Sequence, residues 1–518
     1  MSTKSRRQFL KHATSLAAAG LATSLFSQQS TKEKITSRLI KNVIFILGDD
    51  HSAEILGCYG NQIVRTPNLD RMAYKGVRFS NFFVNAPLCS ASRQSLLTGK
   101  YPHATGVTLL QTSFPEEQLT LAEHLKNFGF KTGIIGKTHF NNNLPHGFDY
   151  QVSHADWQKH LRENPPQQPP AEVKIRPQWK PFQDHARTWL NSEVLPSQYF
   201  DADETATFYT NKAIEFIRAN KENRFCLWVG FQEPHSPFNF PIEFAGKYKP
   251  EDMPLPKGSP EDDRWIPTVF KDLTDEEKKG IVAAYYTSVE YLDRKIGQIL
   301  RELERQQLTP ETLVVYVGDN GYLLGDHKRF EKYTMWEQSV RVPCILQVCN
   351  RYGQGRKIEL LAEGVDLVPT VLDILNVEQM PDIQGKSLFP LLTGRTTTHK
   401  DYVFSEYLVD NMVMIRNKEW KYVFTSGQHD LGQGYATGLP PSGIFHRLYN
   451  LRTDPGETTN LAANPNYQPV LEKLQAELLH IFQKTHPRAK ELPEGLSVEE
   501  QLVWFCEPTD KGANLEAK

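Results

Sequence analysis

Val43-Ile44-Phe45-Ile46-Leu47-Gly48-Asp49-Asp50 is short, apolar and rich in β-branched residues, and it stops abruptly at glycine and two acids. An apolar run without alternation is how a strand reads when both of its faces are covered, as in a parallel sheet. The pattern returns at Leu313–Val317, followed by Gly318-Asp319-Asn320-Gly321. It returns again at Phe225–Phe231, which leads to Pro234-His235, and at Thr132–Ile135, which leads to Gly136-Lys137-Thr138-His139. Helical periodicity separates these strands. Leu119–Phe128 predicts one helix, and Lys278–Leu303 another, with Ile281, Tyr285, Val289, Leu292, Ile296, Leu300 and Leu303 on one face. Alternation of this kind predicts an α/β fold with a large, mainly parallel mixed sheet sandwiched by helices. In such sheets sites collect beyond the carboxyl ends of the strands, where all four runs carry polar residues.

After Leu392-Thr393-Gly394 the character changes. Met412–Phe424 reads as a hairpin around Asn417-Lys418, and Pro469–Lys484 as a helix. We expect a catalytic domain over residues 40–385 and a smaller C-terminal α+β domain over 386–510. Residues 151–200, with Pro165-Pro166 and Pro169-Pro170, and the Gly- and Pro-rich 425–445 read as long loops. Trp157, Trp179 and Trp189 in the first of these could stack on sugar faces, and core packing is an equally common fate of tryptophan.

Residues 1–31 read as an address. Ser5-Arg6-Arg7-Gln8-Phe9-Leu10-Lys11 before an Ala-rich, mildly apolar stretch resembles a twin-arginine export signal, implying a periplasmic or extracellular destination. Removing its four bases leaves 55 basic against 61 acidic residues, a balance that argues against nucleic acid as a partner. No apolar run in the body of the chain is long enough to span a bilayer. The six cysteines lack zinc-ligand spacing, and a Cys344–Cys349 disulfide stays open.

Asp49-Asp50 and Asp319-Asn320 are hard oxygen donors on two strand ends, suited to calcium or magnesium and not to zinc. Between them lies Leu88-Cys89-Ser90-Ala91-Ser92-Arg93-Gln94-Ser95-Leu96-Leu97-Thr98-Gly99. Taken singly, Cys89 would be a buried thiol, Arg93 a helix-surface residue, Lys137 and Lys332 solvated charges, and His235 a loop histidine. Their joint occurrence, in order, carries the reading.

This segment resembles the signature of the type I, formylglycine-dependent sulfatases of the alkaline phosphatase-like superfamily, Cys-x-(Pro or Ala)-x-Arg, with Ala91 where Pro is commoner. The resemblance runs from about residue 40 to 465. It takes in Thr66-Pro67-Asn68-Leu69-Asp70, Gly136-Lys137-x-His139, Pro234-His235, Lys332, Leu448-Tyr449-Asn450-Leu451 and Asp454-Pro455-x-Glu457-x-x-Asn460-Leu461. It implies that a maturation enzyme oxidises Cys89 to formylglycine, whose hydrate attacks sulfur with one hydroxyl and ejects sulfate through the other. It implies a metal, usually calcium with magnesium as the alternative, held by Asp49, Asp50, Asp319 and Asn320, with residue 89 completing the shell. Arg93 would hold the nucleophile, and Lys137 and His139 would contact it and the sulfate, with His139 as base. His235 and Lys332 would hold sulfate and protonate the departing oxygen. His327, in Gly325-Asp326-His327, would touch substrate or shape the loop before Lys332.

The implied activity is hydrolysis of sulfate monoesters, with a sulfated carbohydrate or small molecule as substrate. The stretch from Gly325-Asp326-His327 through Lys332 to Gln338-Ser339-Val340-Arg341-Val342-Pro343 is also similar to phosphonate monoester and phosphodiester hydrolases of the same fold. An inactive member that binds sulfated glycans is a third reading, opposed by the retained Cys89, Arg93, Lys137, His235 and Lys332.

Overall fold

The computed structural model describes residues 39–178, 185–255, 258–348, 351–427 and 443–510. The export-type segment, Trp179, Cys349 and most of the 425–445 stretch therefore lie outside the described residues. Among those described, no helix is long and apolar enough to cross a membrane.

Fourteen strands form the sheets among the described residues. The runs at β1 (Asn42–Gly48), β2 (Val77–Phe83), β3 (Lys131–Gly136), β4 (Tyr150–Val152), β5 (Phe225–Gly230) and β6 (Thr312–Gly318) precede a two-strand ribbon, β7 (Leu323–Leu324) and β8 (Phe330–Glu331). Then come β9 (Cys344–Gln347), β10 (Arg356–Glu363), β11 (Val403–Tyr407), β12 (Met412–Arg416), β13 (Trp420–Thr425) and β14 (Phe445–Asn450). The main sheet has the order β10-β2-β9-β6-β1-β5-β3-β4. Its pairs are parallel, except that β9 runs antiparallel to both β2 and β6. The sheet is thus large, mixed and mainly parallel, and β1, β5 and β6 are buried throughout, as their apolar runs require.

The four runs singled out in the sequence become four consecutive neighbours of the main sheet, β6, β1, β5 and β3. Their register aligns the carboxyl ends, with Gly48 opposite Gly318, Leu47 opposite Gly230, and Gly230 opposite Gly136. The long helix is Asp275–Arg305, a turn longer than its periodicity indicated, because Thr274 and Glu277 form a reciprocal cap. The helix before β3 is shorter than read, Leu121–Lys126, and Thr120 caps it through the Glu123 N–H at 3.0 Å.

The expectation of a structureless 151–200 is corrected in part. The His154–Glu163 helix, capped by Ser153 and Asp156, and the short Ala186–Trp189 helix interrupt it. Trp157 and Trp189 are buried in the core, and the Trp157 indole N–H donates to the Asp203 carbonyl at 2.9 Å, so neither offers a face to a sugar.

The hairpin around Asn417-Lys418 forms as β12 and β13, the middle of an antiparallel sheet ordered β11-β12-β13-β14. The Gln468–Thr485 and Val498–Phe505 helices share its apolar cluster. A buried ionic knot joins this sheet to the segment after β8. Lys421 of β13 is fully buried between Glu337, at 3.3 Å, and Glu457, at 2.8 Å, and Arg416 of β12 reaches Glu337 at 3.1 Å. Burial opposes the charge on Glu337, yet Arg416, Lys421 and Arg341 hold its carboxyl down at about 2.

Lys421→Ala leaves two buried carboxylates short of a partner and should cost about 3–5 kcal/mol, read as a lower urea midpoint at pH 7. Because the folded-state carboxyl of Glu337 lies below its ordinary 4.5, its contribution is complete above pH 4.5 and is lost as pH falls toward 2. The variant should show a smaller loss of stability across that window.

Candidate active site

Two adjacent parallel strands bring their acids together. Past Gly48, the chain turns at Asp49 and Asp50, with Asp50 in the left-handed region at φ 63°. Past Gly318 come Asp319 and Asn320. The Asp50 N–H donates to Asp319 Oδ1 at 3.1 Å, and Asn320 Nδ2 donates to Asp50 Oδ1 at 2.6 Å. Tyr285, on the long helix, donates its hydroxyl to the Asp50 carbonyl at 2.5 Å and so ties the turn to the layer behind the sheet. All four side chains are buried.

Cys89 opens the Cys89–Thr98 helix, every residue of which is buried. Arg93, one turn on, is the largest fully buried side chain among the described residues. Its Nε donates to Asp319 Oδ2 at 2.7 Å, its Nη1 donates to the Lys137 carbonyl at 2.6 Å, and its Nη2 lies 4.0 Å from Asp49. The guanidinium passes over Gly230, where a Cβ would stand 2.8 Å from Nη1 and 2.3 Å from the Lys137 carbonyl oxygen. Glycine at the end of β5 is what leaves it room. Lys137, following β3, pairs with Asp49, and Lys332 pairs with Asp50. The Lys332 ammonium also stands 3.7 Å from Cys89 Sγ. His235 donates Nδ1–H to the Ser236 carbonyl at 2.7 Å, so Nε2 is the nitrogen that faces Asp50, 3.6 Å away.

Three acids and three bases in one buried cluster impose their own titration. Burial raises the Asp49 carboxyl, but Lys137, His235, Arg93 and Lys332 together hold it well below the usual carboxylate range. Burial and the Asp49 charge push Asp319 up to about 8. Burial opposes the charge of Lys332, but Asp50, Cys89, Asp49 and Asp319 hold it well above the ordinary lysine value. Burial, with the cations Lys137 and Arg93, drives His139 well below the ordinary imidazole value, so the ring is neutral at neutral pH. Its Nδ1 is buried without a hydrogen-bond partner among the described residues.

The donors fit a hard divalent cation. Asp49 Oδ1 and Asn320 Oδ1 are buried with no hydrogen-bond partner among the described residues, an arrangement that requires an explanation in a folded protein. Asp49, Asp50 and His235 offer ligand atoms within 4.8 Å of one another. A cation among these oxygens would also hold Asp319 ionised.

Cys89, Asp49, Lys137, His139 and His235 share a cleft of about 390 Å³ with Leu110, Gln111, Arg176, Gln232, Ser236, Pro237, Asn239 and Tyr333. His327 is not among its walls. Its Nδ1 is 3.0 Å from Asp262, its ring stacks on Trp336 at 4.2 Å, and its backbone is left-handed at φ 52°. Of its two expected roles, shaping the loop before Lys332 is the one its position fits; substrate contact is not.

The sequence reading did not single out Gln111, Arg176, Asn239 or Tyr333. Nor did it reveal Asp510, which grips the segment carrying Leu110 and Gln111. Asp510 accepts from the Thr108 N–H at 2.7 Å, the Leu109 N–H at 3.0 Å, the Thr108 hydroxyl at 2.5 Å and the Thr112 hydroxyl at 2.5 Å. No local signal marks such a residue.

Comparison with known proteins gives the following. The family model described as Sulfatase matches residues 41–377, and one described as N-sulphoglucosamine sulphohydrolase, C-terminal, matches 325–484. An N-acetylglucosamine-6-O-sulfatase of Bacteroides thetaiotaomicron is 25% identical, covering 91% of this chain and 90% of its own. An arylsulfatase of Clostridium perfringens is 28% identical, covering 85% and 93%. Among solved structures, the phosphonate monoester hydrolase of Agrobacterium radiobacter superposes with TM-score 0.73 at 22% identity, covering 86% and 96%. A protein solved with its substrate D-glucosamine-2-N,6-O-disulfate superposes with TM-score 0.63 at 24% identity, covering 86% and 98%.

Asp510→Ala strips four donors of their buried acceptor and should cost about 1–3 kcal/mol of stability. It should raise KM several-fold while lowering kcat less, because it loosens one wall of the cleft and leaves the charged floor in place. Steady-state kinetics with an aryl sulfate reads that split.

Proposed function

This chain belongs to the sulfatase family, and on that premise we propose that the cleft hydrolyses sulfate monoesters of carbohydrates with a formylglycine made from Cys89 and a calcium or magnesium ion. Carrying the reading is the position of Cys89 Sγ in the cleft, 3.7 Å from the Lys332 ammonium and beside carboxylates on adjacent strand ends.

Asp49, Asp50, Asp319 and Asn320 would hold the ion, with residue 89 completing its shell. When bound, the metal supplies Lewis-acid charge against developing negative charge on the sulfate oxygens. A maturation enzyme that oxidises Cys89 would give residue 89 a hydrated aldehyde in place of a thiol. The remaining roles belong to side chains already in place. Arg93, fixed by Asp319 and the Lys137 carbonyl, orients residue 89 and balances charge. Lys332 and Lys137 bind sulfate oxygens in a site where cations act with little screening. Neutral His139 accepts a proton from the residue 89 hydroxyl. His235, its Nδ1–H committed to Ser236, presents Nε2 to deliver a proton to the departing alkoxide when the S–O bond breaks.

Gln111, Gln232 and Asn239 line the cleft with amides suited to sugar hydroxyls, in agreement with relatives named for N-acetylglucosamine and ulvan. Export through the twin-arginine-type segment would place the folded enzyme where polysaccharides are met. A phosphonate monoester or phosphodiester activity is the second reading, favoured by the 0.73 superposition on the Agrobacterium enzyme.

Inorganic sulfate release from a panel of sulfated glycans and an aryl sulfate, beside an aryl phosphodiester, tests both. Sulfate release should exceed phosphodiester cleavage, and Cys89→Ala should lower it by roughly 10³-fold or more with an unchanged melting curve. A higher rate on the phosphodiester would transfer the assignment to the second reading. Asp319→Ala should reduce bound metal, measured by elemental analysis of the purified protein; full metal content in that variant would remove Asp319 from the ligand set.

A further inference from the structure

Away from the charged floor, the cleft holds a cation whose recorded partners are neutral. Arg176 lies in the irregular stretch after the His154–Glu163 helix, anchored by its backbone N–H to the Pro196 carbonyl at 2.8 Å. Its Nη2 donates to Asn239 Oδ1 at 2.7 Å. Asn239 is itself fixed, its carbonyl accepting from the Ser288 hydroxyl at 2.9 Å. Arg176 Nε is buried and has no hydrogen-bond partner among the described residues. Both Arg176 and Asn239 line the same cleft as Cys89, Lys137 and His235.

The setting leaves the guanidinium short of negative charge. Burial pushes it down to about 10, against a partial upward pull from Glu204. Glu204 is no full counter-ion, since burial pushes its own carboxyl up to about 7 while Ser197 donates to it. A guanidinium presents a planar fork of donors matched to two-oxygen anions, and a neutral amide occupies only part of it. At about 390 Å³ the cleft lies at the small end of ligand sites, so one compact ligand reaches both ends.

We propose that Arg176, braced by Asn239, is a second anion subsite that takes a carboxylate or a further sulfate on the same or the adjoining sugar, on the reading that the floor takes the scissile sulfate. The substrate class is then a polyanionic glycan and not a singly sulfated ester. Arg176 sets specificity; the bond-breaking groups lie on the floor.

Calorimetry on the Cys89→Ala protein tests this without turnover consuming the ligand. The one-anion probe is N-acetylglucosamine 6-sulfate. Glucosamine-2-N,6-O-disulfate is the two-sulfate probe, and 6-sulfated N-acetylglucosamine linked to glucuronate is the carboxylate probe. At least one two-anion probe should bind tenfold or more tightly than the one-anion probe, and the arm that shows the gain names the source of the charge. Arg176→Gln should bring that ratio to within twofold of unity, and Arg176→Lys, which keeps the charge and loses the fork, should leave an intermediate ratio. Equal binding of all three probes overturns the proposal, as does a preference that survives Arg176→Gln. If Arg176→Gln does not fold, Arg176→Lys decides alone, an undiminished ratio counting against the subsite and a reduced one for it. Failure of the sulfatase reading shows separately, as wild-type protein that cleaves the aryl phosphodiester and releases no sulfate.

Discussion

Like charges a few ångströms apart in a buried cluster cannot all stay ionised unless opposite charge is brought to them, and Asp49, Asp50 and Asp319 are such a cluster. Arg93, Lys137 and Lys332 come from three different parts of the chain to meet them. Arg93 arrives on the first helix beyond β2, Lys137 directly after β3 of the main sheet and Lys332 directly after β8 of the two-strand ribbon. The net result is nearly neutral, yet two acceptor oxygens in it are left without donors. That residue of unmet capacity points to a metal, and it exists because the parallel register of β1 and β6 places Asp49-Asp50 and Asp319-Asn320 side by side.

The glycines at the ends of β1, β3, β5 and β6 leave room for close neighbours. A side chain at Gly230 would occupy the space through which Arg93 reaches the acids, while Cβ atoms at Gly48, Gly136 and Gly318 would meet Tyr316, the Gly230 carbonyl and the His51 carbonyl. The Cys89–Thr98 helix, buried on every side, is held between these strand ends and the flanking elements. Its residues are selected by contact all round and not by an amphipathic stripe, which is why the helix carries so many small side chains.

Much of this was legible in the sequence because it is local. Apolar runs without alternation gave four strands, and the abrupt polar residues after them gave the site its address. What escaped reading was non-local or disguised. Proline and tryptophan in 151–200 obscured the cap formed by Ser153 and Asp156. His327 sits in a motif-like stretch, but its left-handed backbone turns the ring toward Trp336. Arg176 and Asn239 come from irregular segments whose meeting no periodicity announces. Trp157 and Trp189 took core packing, the one of their two open readings that large aromatic rings follow wherever a core is available.

Asp510 has a consequence in time as well as in space. It stands about four hundred residues after the segment it grips, so the wall that carries Leu110 and Gln111 depends on some of the most sequence-distant hydrogen bonds among the described residues. Contacts of that separation form late, since the entropy of closing the loop must be met before they repay it. During synthesis, residues near Cys89 leave the ribosome long before their eventual neighbour exists. The wall of the cleft that carries Leu110 and Gln111 is therefore among the last features to acquire its final shape.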